Sequence, residues 1–209
     1  MVPDYKKLYE LKDPLATQPI RLEPYDDDWL SRGVAIRLLR GQLFPQLPLK
    51  LRPAMGGRTV DFLWSTFSPI WVISQRLVDL FTTSGFTGWS TYLVEAYDKK
   101  SQILSNYYGL AIIGKAGNHD LRRVQVVEKP PVVPGGTPCV DLKGIFFEND
   151  DWDGSDFCLM GHTITCIVTE RVVQAFKRAE IRNVHFIPLT EVETPASVYE
   201  VQGLWPKKE

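Results

Sequence analysis

One pattern occurs twice in this chain, about 95 residues apart, and it constrains the fold more than any other feature. The first copy runs from Ile70 to Tyr97 and the second from Thr165 to Val192. Ser74 aligns with Thr169, Arg76 with Arg171, Val78 with Val173 and Phe81 with Phe176. Each copy reads as an apolar strand, a hydroxyl N-cap, an amphipathic helix, a turn and a second strand. Ser74 and Thr169 suit the cap because a hydroxyl can accept from the orphan N–H groups of a first helical turn. Leu77, Val78 and Phe81 in one copy, and Val172, Val173 and Phe176 in the other, fall on one helical face. Gly85 stands where a left-handed C′ residue should end the first helix. Glu170 early and Lys177 and Arg178 late complement the dipole of the second. Arg76 and Arg171 are polar and matched, so each is expected to make a structural ion pair. The plain alternative is a chance match of two common strand–helix–strand units.

Around the repeats, short helices alternate with many strands. Strands are expected at Tyr107–Ile113, Val124–Val127, Gly144–Glu148, Thr163–Val168 and Val184–Leu189. Residues 1–60 carry Pro3, Pro14, Pro19, Pro24, Pro45, Pro48 and Pro53. Proline at that density disfavours long helices and interior strands. The expected architecture is α+β: a mixed or antiparallel sheet with two repeated strand–helix–strand units and a Pro-rich N-terminal arm. The arm covers 1–60, with a short element within Asp28–Leu39. The α+β domain covers 61–209, its pseudo-repeats (70–97 and 165–192) separated by a Pro/Gly loop at 129–138.

Bulk properties bear mainly on what the chain does not favour. Net charge is −1, from 24 Lys+Arg against 25 Asp+Glu, which gives no general attraction to nucleic acid or anionic membrane. No apolar run approaches the roughly 18–20 residues of a membrane helix. The N-terminus has no apolar signal-peptide core, and Cys139, Cys158 and Cys166 are an odd number without a pairing motif. A cytoplasmic protein with reduced thiols is expected.

Candidate chemistry is sparse. Asn149, Asp151, Asp153 and Gly154 match positions 1, 3, 5 and 6 of a calcium loop, but Met160 stands where a bidentate Glu is needed. Cys158, His162 and Cys166 would spread over more than about 20 Å along one strand, so they could share a zinc ion only across a turn at Gly161. There is no Gly-x-Ser-x-Gly elbow, and Gly114-Lys115-Ala116-Gly117 lacks phosphate-loop spacing. His119, His162 and His185 have no partner that sequence can assign. No cofactor is expected.

What remains is surface. Asp26, Asp27 and Asp28 precede Trp29, and Asp151, Trp152, Asp153 and Asp156 share a second acidic stretch. Acidic clusters around an aromatic anchor suit a basic protein partner, through steering and a hot-spot contact. Solvated loops are the plain alternative.

The repeats also resemble a known family. Val-Ile-Ser-Gln-Arg-Leu-Val-Asp-Leu-Phe from Val72, with Gly85-Phe86-Thr87-Gly88-Trp89, Tyr92-Leu93-Val94 and Asn106-Tyr107-Tyr108, is similar to bacterial immunity proteins of polymorphic toxin systems. That family was first catalogued as a domain of unknown function. Trp152-Asp153-Gly154-Ser155-Asp156-Phe157, Ile167 to Val173 and Val184-His185-Phe186 resemble it as well. The likeness covers roughly residues 60–192 and rests on fold-determining positions. It implies a non-catalytic protein that neutralises a cognate toxin by binding it, with no catalytic residues to carry over. The competing expectation is a small metal-dependent or hydrolytic enzyme using the acidic turn 149–156 and His162.

Overall fold

The computed structural model describes residues 3–66, 69–131, 133–147, 152–161 and 163–201. In chain order its strands are β1 (Leu8–Lys12), β2 (Arg21–Pro24), β3 (Leu49–Met55), β4 (Phe62–Leu63), β5 (Trp71–Ser74), β6 (Trp89–Ala96) and β7 (Tyr107–Ile112). They continue with β8 (Gly114–Ala116), β9 (Gln125–Lys129), β10 (Cys139–Lys143), β11 (Phe157–Met160), β12 (Cys166–Thr169), β13 (His185–Pro188) and β14 (Glu193–Pro195). The helices are α1 (Arg32–Leu39), α2 (Gln75–Thr83), α3 (Glu170–Arg178) and α4 (Ala196–Val201). The class is α+β.

Three sheets form. A six-stranded sheet runs β2-β3-β6-β7-β5-β4, a five-stranded one β13-β1-β12-β11-β8, and a three-stranded one β14-β10-β9. Pairing is antiparallel except for β3 with β6 and β8 with β11. The six-stranded sheet almost closes on itself. The N–H of Leu22 in β2 donates to Trp64 O at 3.0 Å, and the N–H of Thr66 donates to Leu22 O at 3.0 Å, just past β4. Such closure removes an exposed edge.

Side-chain alternation places the core on three levels. In β5, Trp71 and Ile73 enter the central cluster, while Val72 enters a second one with Leu22, Leu38 and Leu51. In β12, Cys166 and Val168 enter the central cluster, while Ile167 enters a third with Leu8 and Phe147. Successive strand residues point to opposite faces, so a strand buried on both faces is apolar throughout. The central cluster joins the two large sheets with the buried faces of α2 and α3. Phe81 from α2 and Phe176 from α3 stack there with centroids 5.7 Å apart. Each is fully buried, and burial of a side chain of this size stabilises by roughly 1.5–3 kcal/mol.

Local signals explain α2 and α3. Ser74 Oγ accepts from Leu77 N–H at 3.4 Å, as expected of the cap, and Gly85 adopts φ +62° after α2. Thr169 occupies the cap position of α3 but makes no side-chain cap bond. Its hydroxyl is committed to Asp156 instead.

Two expectations need correction. Interior strands do arise in the first 60 residues: β3 lies between β2 and β6 although it carries Pro53. β1 lies between β12 and β13, in a proline-free stretch flanked by Pro3 and Pro14. Gly144 to Phe147 is not a strand. Gly144 turns the chain at φ +97°, and only Phe147 pairs, as a single bridge to His119. The strand in this region is β10, and Cys139 pairs directly with Lys129 of β9, so the Pro/Gly stretch connects two paired strands.

Candidate functional site

Asp26, Asp27 and Asp28 begin a single 3-10 turn, Asp27–Leu30. Asp26 fixes it: its Oδ1 accepts from Asp28 N–H at 3.0 Å, and its carbonyl accepts from Trp29 N–H at 3.2 Å. Asp26 and Asp28 are exposed, while Trp29 is half-buried against the cluster holding Leu22 and Leu38. The turn therefore presents the Asp26 and Asp28 carboxylates on a hydrogen-bonded, aromatic-anchored base.

The second acidic stretch is built differently. Asn149, Asp150 and Asp151 lie outside the described residues, as does His162. Trp152 is half-buried against the cluster of Phe147 and Cys158, and its indole N–H donates to Ser155 O at 3.2 Å. Asp153 is exposed, yet it is tied down. Its Oδ2 accepts from Lys115 N–H at 2.9 Å and its Oδ1 from Ser155 N–H at 3.0 Å. Asp156 departs from the expectation of an exposed patch: it is 5% exposed and spends its carboxylate internally. Thr169 Oγ1 donates to its Oδ1 at 2.7 Å, Thr87 N–H to its Oδ2 at 3.3 Å, and Arg171 Nη1 lies 3.4 Å from both oxygens. A buried carboxylate needs this many donors to offset its lost hydration. Asp156 cannot at once serve an outside partner.

Arg76 and Arg171 make the ion pairs expected of them. Arg76 Nη1 reaches Asp61 Oδ2 at 2.8 Å, and Arg171 reaches Asp156. Both acids precede a phenylalanine, Asp61-Phe62 and Asp156-Phe157, about 95 residues apart. That shared dipeptide is the signal that could have identified them.

The cysteines do not converge. Cys158 and Cys166 lie on paired strands, because the chain does turn at Gly161, but they face opposite sides of the sheet. Burial pushes both thiols above their ordinary range, which keeps them protonated and unreactive. Met160 is buried in β11, where it cannot close a calcium loop. Among the described residues no three His, Cys, Asp or Glu side chains gather as metal ligands, and no helix is long and apolar enough to cross a membrane. His119 is wired into the interior: Nε2 faces Gly144 O at 3.2 Å and Nδ1 faces Tyr199 Oη at 2.7 Å. A carbonyl only accepts, so Nε2 carries the proton and Nδ1 accepts from the tyrosine. Burial lowers this imidazole below its ordinary range.

One residue escaped sequence reasoning. Glu10 is a lone acid between Tyr9 and Leu11 in a strand otherwise suited to burial, and it faces a cavity. An acid interrupting an apolar strand is a readable signal, but only once β1 is known to be interior. Comparison with protein-family models and with curated proteins returns no match for this chain.

Proposed function

We propose that the protein is a non-catalytic binding protein that neutralises a basic protein toxin, as bacterial immunity proteins do. The single observation that carries this reading is the Asp26–Trp29 turn, where exposed carboxylates stand on a hydrogen-bonded base beside a half-buried indole. A turn already closed by its own hydrogen bonds has less to order on binding, and the carboxylates would speed encounter with a basic face. Asp26, Asp27, Asp28 and Trp29 form one contact region, and Asp151, Trp152 and Asp153 a second. Asp156 supports the second from inside.

The same reading treats 70–97 and 165–192 as two copies of one unit. Supporting it, Asp61 with Ser74 and Arg76, and Asp156 with Thr169 and Arg171, make matching bonds at one spacing. Residues shared by the copies are then cap and core, and recognition lies in loops that differ.

Co-expression with the product of the adjacent gene tests the function. The expected outcome is rescued growth and a co-purifying complex, with Asp28→Lys weakening both. Growth arrest despite a folded, abundant chain would reject it.

A further inference from the structure

Glu10 sits in the middle of the five-stranded sheet, paired with Ile167 on one side and Ile187 on the other. Its Oε2 is shut off from solvent and has no hydrogen-bond partner. The ammonium of Lys12 stands 3.7 Å away, beyond normal hydrogen-bond reach, on a side chain 47% exposed. A carboxylate in this position is costly unless something pairs with it. Burial indeed pushes the Glu10 carboxyl above its ordinary range, with Lys12 only partly opposing the shift.

The rest of the side chain does reach open space, at 14% exposure. Glu10 lines a cavity of about 440 Å³ walled by Leu11, Trp64 and Trp71, and a second of about 220 Å³ that reaches Tyr199. Ile164 and Thr165 also line both, so Glu10 stands where the two adjoin. The larger is of ligand size, and it sets Trp64, Trp71 and Ile164 beside polar side chains able to orient a ligand. Thr66, on the wall of the larger cavity, has a hydroxyl oxygen that is likewise buried without a hydrogen bond. Asp13, at the same wall, is already spent: Arg21 holds its two oxygens at 2.6 and 2.7 Å. The pair fixes the end of β1 to β2. Glu10 is thus the under-satisfied anion of a preformed cleft, with a loosely held lysine as its resident counter-ion.

We propose that this cleft binds an organic cation, a guanidinium or primary ammonium on an apolar stem, which displaces Lys12 from Glu10. The charged head pairs with Glu10, and the stem lies along the Trp64 and Trp71 wall. A guanidinium fits best, because its fixed donors match a carboxylate. The site rests on its own geometry and stands whether or not the partner reading holds.

The test is calorimetric titration of the full chain with n-butylguanidinium chloride, using n-butylurea as the neutral isostere. Saturable binding is expected, with butylurea and the Glu10→Gln variant each at least about tenfold weaker, as loss of a charge-assisted hydrogen bond implies. Lys12→Met should bind about threefold tighter, since it removes a weak competing ion pair. That gain is an effect no merely structural role for Glu10 would produce, and it keeps the test decisive should Glu10→Gln fail to fold. Absence of saturable binding, equal binding of butylurea, or no gain in Lys12→Met overturns the proposal. A blocked Gly-Arg-Gly peptide separates the sources of the cation. Binding equal to that of butylguanidinium assigns the cleft to a protein side chain, and exclusion of the peptide assigns it to a free small molecule.

Discussion

The Asp61 and Asp156 clusters make the same bonds in two places, but not at the same depth. Each carboxylate accepts from a hydroxyl at 2.7 Å, Ser74 in one and Thr169 in the other. Each pairs with an arginine two residues past that hydroxyl. Each arginine then donates to the carbonyl ending the opposite helix: Arg76 to Ala179 O after α3, and Arg171 to Ser84 O after α2 at 3.1 Å. A cation at a helix C-terminus meets the dipole and an orphan carbonyl together. The clusters therefore tie α2 and α3 to each other as well as to their own strands. They differ in solvent. The Asp61 side chain is 23% exposed and the Asp156 side chain 7%, and only Asp156 also receives the Thr87 amide. Matched hydroxyl and arginine bonds should thus carry unequal weight.

The largest expected effect lies where the two loops cross. Gly88 adopts φ +84°, and a Cβ there would stand 2.0 Å from Phe157 O. Its counterpart Asn183, at φ +66°, instead donates its side-chain amide to Phe62 O at 2.8 Å. Gly88→Ala should cost about 4 kcal/mol in urea unfolding, from backbone strain plus the clash. Asn183→Ala should cost about 2 kcal/mol, from one hydrogen bond and a left-handed backbone that alanine tolerates poorly. Equal costs would mean that the two crossings are packed alike.

Next comes the depth difference itself. Asp156→Ala removes the deeper carboxylate, the acceptor of both the Thr169 hydroxyl and the Thr87 amide, at about 3 kcal/mol. Asp61→Ala removes the more exposed carboxylate, with no backbone amide bound to it, and should cost about 1 kcal/mol. A reversed order would break the burial argument. The hydroxyls give a finer contrast. Ser74 both caps α2 and donates to Asp61, whereas Thr169 only donates to Asp156. Ser74→Ala should therefore lose the helix N-terminal protection that Thr169→Ala keeps, a difference of about 1 kcal/mol readable by amide exchange at Leu77 and Val172.

The smallest effect is in pH, at a third region. Burial lowers the His119 pKa in the folded state, so the unfolded chain takes up a proton first on acidification. The stability this confers is present above about pH 6.5 and is lost as pH falls below it. His119→Asn should flatten that part of the stability profile, and an unchanged slope would place the titration elsewhere.

The sequence was most legible where local signals and burial agree. Ser74, Gly85 and the Leu77/Val78/Phe81 face mark α2 because cap, terminator and periodicity fall within ten or so residues. The partners of Arg76 and Arg171 were not assigned, since Asp61 and Asp156 lie 15 residues upstream in the chain and meet them only through packing. β1 was hidden for a similar reason. Proline density describes the segment around it, whereas its place between β12 and β13 is decided by strands more than 150 residues away. Asp156 looked like its acidic neighbours because burial has no local signature. Asp26 and Asp28, whose backbone turn is self-contained, were read as they stand.

The central claim is that the chain acts by binding a basic protein partner through its exposed acidic turns. Calorimetric titration with the purified product of the adjacent gene tests it most directly. The account predicts a stoichiometric complex that weakens with added salt and with Asp28→Lys, and that Asp61→Asn leaves intact. A folded chain that binds nothing, or a complex indifferent to both salt and Asp28→Lys, would contradict it.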